Sequence, residues 1–291
     1  MDNSEIKNIQ WFPGHMAKTR RLIKANISLV DAVVELLDAR TPLSSGNPEM
    51  ESLTGGKPRI VLLNKCDVAD EKATQAWINY YNKNGVTAMA VDCKSGKGLK
   101  NFLPTVKNKV LKELMEKRKA HGMSGATIRL MIVGIPNVGK SSFINRMAGA
   151  KRTKVEDRPG VTRTKQWVKL ENGVELLDMP GVLWPKFEDQ SVALRLAFTG
   201  AINDDILDTE TLAMKLLYFL AENYPDSLKE RYKVEAQPED TGLVLLEKVG
   251  RKRGMMISGG EIDTERAAIT VLDEFRSGKL GKITLEMPER E

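Results

Sequence analysis

The chain has 291 residues, 41% of them hydrophobic and 29% charged, which supports an ordinary core in about two domains and excludes a collagen-like or low-complexity chain. Its two cysteines, Cys66 and Cys93, form no metal-type pair, no apolar run reaches the roughly 18 residues of a membrane helix, and the start Met-Asp-Asn-Ser-Glu has no leader character, so a cytoplasmic protein with no membrane partner is expected. Lys and Arg outnumber Asp and Glu by 45 to 39, and the basic residues gather at 18–24, 107–119, 151–165 and 248–253, a distribution that suits nucleic acid.

Trp11-Phe12-Pro13-Gly14-His15-Met16 carries a Pro-Gly break, and a basic helix is predicted over residues 17–28. A unit then recurs: a short apolar strand that ends in a polar loop. Residues 31–37 end at Asp38-Ala39-Arg40, 59–63 at Asn64-Lys65-Cys66-Asp67, 86–91 at Asp92-Cys93-Lys94-Ser95-Gly96, and 128–133 at Gly134. Residues 167–170 and 174–177 flank Glu171-Asn172-Gly173, a tight-hairpin signal, and the second arm ends at Asp178-Met179-Pro180-Gly181. Helical patterns cover 71–83, 99–119 and 141–148. The alternation predicts an α/β domain with a mostly parallel, doubly wound sheet, whose ligands bind outside the carboxyl ends of the strands. After Gly181 the patterns over 192–198, 208–223, 238–250 and 261–277 are helical. The expected division is an α/β domain over 1–200 and an all-helical domain over 201–291.

Gly134-Ile135-Pro136-Asn137-Val138-Gly139-Lys140-Ser141 fits the P-loop pattern. In the loop that begins at Pro136, the backbone amides of Asn137, Val138 and Gly139 would close around phosphates. Lys140 would bring positive charge to the outer phosphates, and Ser141 a hydroxyl to Mg2+. The helix through Ser142 would aim its amino end at the anion. A P-loop does not choose the base, whereas Asn64-Lys65-Cys66-Asp67 does. The Asp67 carboxylate can accept from guanine's ring imino and exocyclic amino groups, donors that adenine lacks. Asn64 can address the keto side, the Lys65 stem can lie along the base, and Asp92-Cys93-Lys94 can offer an amide to the keto oxygen. Asp178 can hold a magnesium-bound water, and the Gly181 amide can meet the terminal phosphate. Thr162 is assigned as the second hydroxyl on magnesium, with Thr164 as the alternative.

Together these segments resemble the translation-factor class of small GTPases in a permuted order, with the base-reading segments ahead of the P-loop. With Trp11-Phe12-Pro13-Gly14-His15-Met16 and Leu183-Trp184-Pro185-Lys186-Phe187, the chain closely resembles the YlqF/RbgA family over essentially its whole length. The resemblance implies a circularly permuted P-loop GTPase domain followed by a helical domain similar to the ANTAR RNA-binding fold. It implies hydrolysis of GTP to GDP as a switch in late assembly of the bacterial large (50S) ribosomal subunit, with the precursor particle and its rRNA as partners. Many GTPases orient water with a glutamine where this chain has Val182. The resemblance puts His15 in that role as a catalytic group beside Lys140, and Asn137 resembles the asparagine of GTPases that recruit K+. A monomer is expected when free. Residues 248–253 are the preferred rRNA contact, and with only 5% aromatic residues, shape recognition of folded RNA is favoured over base stacking. The other reading is a nucleotide-gated binding module for a non-ribosomal protein or membrane partner.

Overall fold

The computed structural model describes residues 9–123, 125–149, 166–170 and 173–289. They fall into two compact units, one formed by Trp11–Lys186 with Thr284–Glu291, the other by Met1–Gln10 with Phe187–Ile283.

The first unit is built on six strands: β1 Ala32–Asp38, β2 Arg59–Asn64, β3 Thr87–Ala90, β4 Ile128–Gly134, β5 Gln166–Leu170 and β6 Val174–Asp178. Their order is β3-β2-β1-β4-β6-β5. All neighbours are parallel except β5 and β6, which pair antiparallel. β1 reads Ala-Val-Val-Glu-Leu-Leu-Asp with every residue buried, as a strand covered on both faces should. The order turns back between β1 and β4, which is where an open α/β sheet leaves a crevice for a ligand. Register brings the loaded ends into step: Asp38 lies opposite Asn64, Leu36 opposite Gly134, and Ile132 opposite Asp178.

Helices α1 Gly14–Asn26, α2 Met50–Thr54, α3 Glu71–Lys83, α4 Phe102–Thr105, α5 Lys112–Ala120 and α6 Lys140–Ala148 connect the strands. The Asp70 side chain caps α3 by accepting from the Ala73 amide, and Trp77 of α3 packs into a cluster with Leu37, Val61 and Leu63. The single helix expected over 99–119 is instead broken into a 3-10 turn, α4, a π-helical turn at Val106–Val110 and α5. Pro104 lies in the first turn of α4, where a missing N–H is tolerated, and the π-helical turn comes after it.

The second unit holds α7 Gln190–Phe198, α8 Thr209–Asn223, α9 Pro225–Tyr232, α10 Gly242–Lys252 and α11 Thr264–Arg276. Asp189, Asp208, Thr241 and Asp263 cap four of these helices through their side chains. α8 packs against α10 and α11. Gly242 permits the close approach, since a Cβ there would lie 2.7 Å from the Met214 carbonyl oxygen. The units divide at Lys186/Phe187, not near Gly200. The reason is α7, whose buried Ala193, Leu196, Ala197 and Phe198 belong with α8 and α11. The chain also returns to the sheet unit at Thr284.

Glu274 of α11 accepts from Arg231 of α9 and from Arg253 just past α10. Hydrogen bonding from Arg231 leads in holding its carboxyl down at about 2, against the opposing effect of burial, with Arg253 assisting. A lowered carboxyl contributes stability that is complete above its ordinary value of 4.5 and lost as pH falls through about 2. Glu274→Gln is therefore expected to lower the thermal midpoint at pH 7, and the two melting curves should converge as pH falls from about 4.5 to 2.

Candidate functional site

Between β4 and α6 the backbone turns through left-handed conformations at Asn137 (φ 58°) and Gly139 (φ 104°). Gly134 lies against β1, where a Cβ would come within 2.7 Å of the Leu36 carbonyl oxygen. Asn137 and Ser141 are exposed, and Pro136 and Val138 are buried. The buried Lys140 ammonium folds back onto its own loop, donating to the carbonyls of Gly134 (3.2 Å) and Ile135 (3.0 Å). Burial brings its pKa down to about 8, with the Asp178 carboxylate opposing the fall. Burial likewise pushes Asp178 up to about 6, restrained by Lys140.

Asp178 Oδ1 is buried and has no hydrogen-bond partner among the described residues. An acceptor left without a donor in this way fits a hydrated divalent cation. The 178–181 segment runs hard against the P-loop. The Val182 amide donates to the Gly134 carbonyl (3.2 Å), and a Cβ on Gly181 would lie 3.0 Å from Pro136 Cα.

The segments 64–67 and 92–94 meet the P-loop through one side chain. Asn64, 3% exposed, donates from Nδ2 to the Val138 carbonyl (2.8 Å) and accepts at Oδ1 from the Cys93 amide (3.0 Å). A Cβ on Gly139 would collide with Asn64 Nδ2. Both ends of the Asn64 amide thus have a partner within the protein, as has the Cys93 amide, while Nδ2 keeps a second hydrogen and Oδ1 a second lone pair. Asp92 shapes its own loop, its carboxylate accepting from the amides of Lys94 (2.8 Å) and Ser95 (3.2 Å). Burial opposes the fall of its pKa, but those hydrogen bonds hold it below the usual range.

Lys65 sits at φ 62° and places Nζ 2.9 Å from Asp38 Oδ2. Arg40 grips the same carboxylate from its backbone amide (3.0 Å), Nε (3.0 Å) and Nη2 (2.8 Å). Burial alone would raise the Asp38 pKa, but Arg40 and then Lys65 outweigh it and hold the carboxyl well below the usual range. For Lys65, burial pulls the pKa down against the attraction of Asp38. Asp67 is exposed next to this arrangement. Asp38-Ala39-Arg40 had no assigned role in the sequence, although three charged residues at two strand ends were its signal.

Ser142 lies in the first turn of α6. Thr162 and its alternative Thr164 lie outside the described residues, as do Arg152, Arg158, Arg163 and two of the three hairpin residues. His15 is exposed in the first turn of α1, and its ring makes no hydrogen bond to the nucleotide-type loops among the described residues.

Over 281 residues the chain is 49% identical to ribosome biogenesis GTPase A of Bacillus licheniformis, with 97% of this chain and 99% of that one covered. The chain belongs to the ribosome biogenesis GTPase A family. It is accordingly a GTPase, with guanine nucleotide as its ligand. Residues 129–248 match the family described as 50S ribosome-binding GTPase. That match opens at β4 and leaves Asn64 to Asp67 and Asp92 to Lys94 upstream of it, in keeping with the permuted order. The GTPase is also 33% identical to the mitochondrial ribosome-associated GTPase 1 of Bos taurus, over 95% of this chain and 88% of that one. GNP-bound YlqF from T. maritima superposes with a TM-score of 0.63 at 30% identity, over 94% of this chain and 100% of that one. A GDP-bound YlqF structure gives 0.66 at 29% identity, over 93% and 100%.

In this GTPase the raised Asp178 pKa means that the proton favours the folded state. The stability it confers is complete below the ordinary value of 3.8 and lost as pH rises through about 6. Asp178→Asn should therefore stabilise the nucleotide-free protein by ~1–3 kcal/mol above pH 6, with the gain fading between about pH 6 and 4. Denaturant titrations at pH 4, 6 and 8 would read this, and a gain that does not vary with pH would refute it.

Proposed function

We propose that this GTPase binds GTP and GDP across the carboxyl ends of β1, β2, β4 and β6 and acts as a switch in late assembly of the bacterial large ribosomal subunit. The observation that carries the reading is the Asn64 carboxamide, which joins the P-loop carbonyl of Val138 to the Cys93 amide and so makes one site of segments far apart in the chain. Beside it stands Asp67, which is exposed and suited to guanine. Lys140 would exchange its two carbonyl acceptors for phosphate oxygens, and the amides of Asn137, Val138 and Gly139 would complete the cradle.

Magnesium, when bound, supplies charge neutralisation at the phosphates, with Ser141, Thr162 and, through water, Asp178 as its holders. The orphaned Asp178 Oδ1 supports that assignment. Asn137 is the proposed potassium-recruiting residue. Val182 is buried and carries no polar group, so His15 is proposed to orient the attacking water once the ribosomal particle positions α1.

The names of the relatives support a ribosomal partner over a non-ribosomal one. On the helical unit, Lys229, Lys233, Lys248, Arg251 and Lys252 line an open recess of about 620 Å3 together with Glu235, a chemistry suited to rRNA phosphates. Among the described residues no helix is long and apolar enough to cross a membrane. The proposed setting is the cytoplasm, and the proposed free state a monomer.

Asp67→Asn is expected to weaken GDP on the order of 10²-fold or more and to favour xanthosine diphosphate, measured by fluorescent-nucleotide titration. Equal GDP affinity in both proteins would remove Asp67 from the role. His15→Ala should spare nucleotide binding and reduce hydrolysis stimulated by precursor particles at least about 10²-fold. Unchanged stimulated turnover would exclude it. GTP-dependent, salt-sensitive pelleting with precursor 50S particles tests the partner, and binding that survives ribonuclease would favour a protein partner.

A further inference from the structure

Thr284, Leu285 and Glu286 follow the helical unit in the chain but belong to the sheet unit. All three are buried, at 3%, 4% and 8% exposure. The Glu286 carboxylate accepts from the amides of Leu43 and Ser44 (2.8 Å to Ser44) and from the Ser44 hydroxyl (2.6 Å). The Leu285 amide donates to the Arg40 carbonyl (2.7 Å). The Thr284 hydroxyl donates to the Ala39 carbonyl (3.3 Å) and accepts from the Asp70 amide (3.1 Å). Trp77 Nε1 donates to the Glu286 carbonyl (3.0 Å). A three-residue segment is therefore bonded on one side to the loop after β1 and on the other to the cap and body of α3.

Those two attachments bracket the base-reading segment. On one side Arg40, whose carbonyl holds Leu285, grips Asp38, and Asp38 holds Lys65. On the other side Asp70, whose amide holds Thr284, is the N-cap of the helix that starts just after Asp67. Asp67 lies between Lys65 and Asp70 in the chain, so its backbone is fixed at both ends by partners of the same tail.

We infer that Thr284 to Glu286 are positioning residues for guanine recognition, acting through Arg40–Asp38–Lys65 and through Asp70 to hold Asp67 where it can address the exocyclic amino group. This rests on the assignment of Asp67 to the base. All three are buried in contacts with the protein, so their action on nucleotide would be indirect. Their effect is therefore on base selectivity, which the phosphate-binding loop does not set.

The test compares full-length wild type with Glu286→Ala, Glu286→Gln and a chain ended at Ile283. Affinities and release rates are measured for GDP and for inosine diphosphate, which lacks the exocyclic amino group, well below each protein's thermal midpoint. Glu286→Ala and the shortened chain should release GDP on the order of tenfold faster and lose most of the preference for GDP over inosine diphosphate, while binding of the latter changes little. Glu286→Gln keeps an acceptor oxygen for the two amides and should restore the preference toward wild type. If Glu286→Ala and the shortened chain only melt earlier, with the preference intact, the proposal is overturned. A wild-type protein that does not prefer GDP over inosine diphosphate would instead overturn the Asp67 assignment, and this inference with it.

Discussion

Two hydrogen bonds of one buried carboxamide, Asn64 Nδ2 to the Val138 carbonyl and the Cys93 amide to Asn64 Oδ1, tie together three loops that the chain order keeps apart. Each such bond contributes on the order of 1 kcal/mol net, but losing the side chain would strand a buried carbonyl and a buried amide at about 1–3 kcal/mol each. The rest of the site is fitted around that side chain. Gly139 has no Cβ because Asn64 occupies the space, and β2 is registered so that Asn64 lies beside Asp38, whose carboxylate anchors the next residue, Lys65. Asn64 and Val138 lie 74 positions apart in the chain, so this junction is made by contact.

Burial works against the charges of two residues of the site. Lys140 and Asp178 are both drawn toward their neutral forms by burial, and neither fully satisfies the other. Lys140 rests on two carbonyls, and Asp178 keeps an oxygen without a donor. A polyphosphate with its divalent cation would give each the opposite charge it lacks.

The strands were legible in the sequence because each is a short apolar run closed by a polar loop, and all six match to within a residue or two at their ends. The P-loop and the Asp178–Gly181 segment were equally legible, since their chemistry is local. What could not be read depended on distant partners. The apolar face of α7 does not say that α8 and α11 will cover it, so the unit boundary was placed too late. α9 buries only Leu228 and Tyr232, too few to mark a period. Pro104 was visible, but not the π-helical turn that follows it. That Asn64 also bridges two loops could not be read, because residue type carries no record of which neighbour claims its amide. The tail gave no signal at all: Glu286 meets residues more than 200 positions away, and nothing in its neighbourhood marks it as other than a solvated carboxylate.

The return of residues 284–286 to the sheet unit also bears on how the protein is made. Chains usually fold from the amino end, each domain closing as it leaves the ribosome at about 5–20 residues per second. Here the strands and the P-loop emerge first, yet Leu43, Ser44, Asp70 and Trp77 lack their partners until the whole helical unit has been synthesised. A nascent chain can carry the whole P-loop while the partners of Ser44, Asp70 and Trp77 are still inside the exit tunnel.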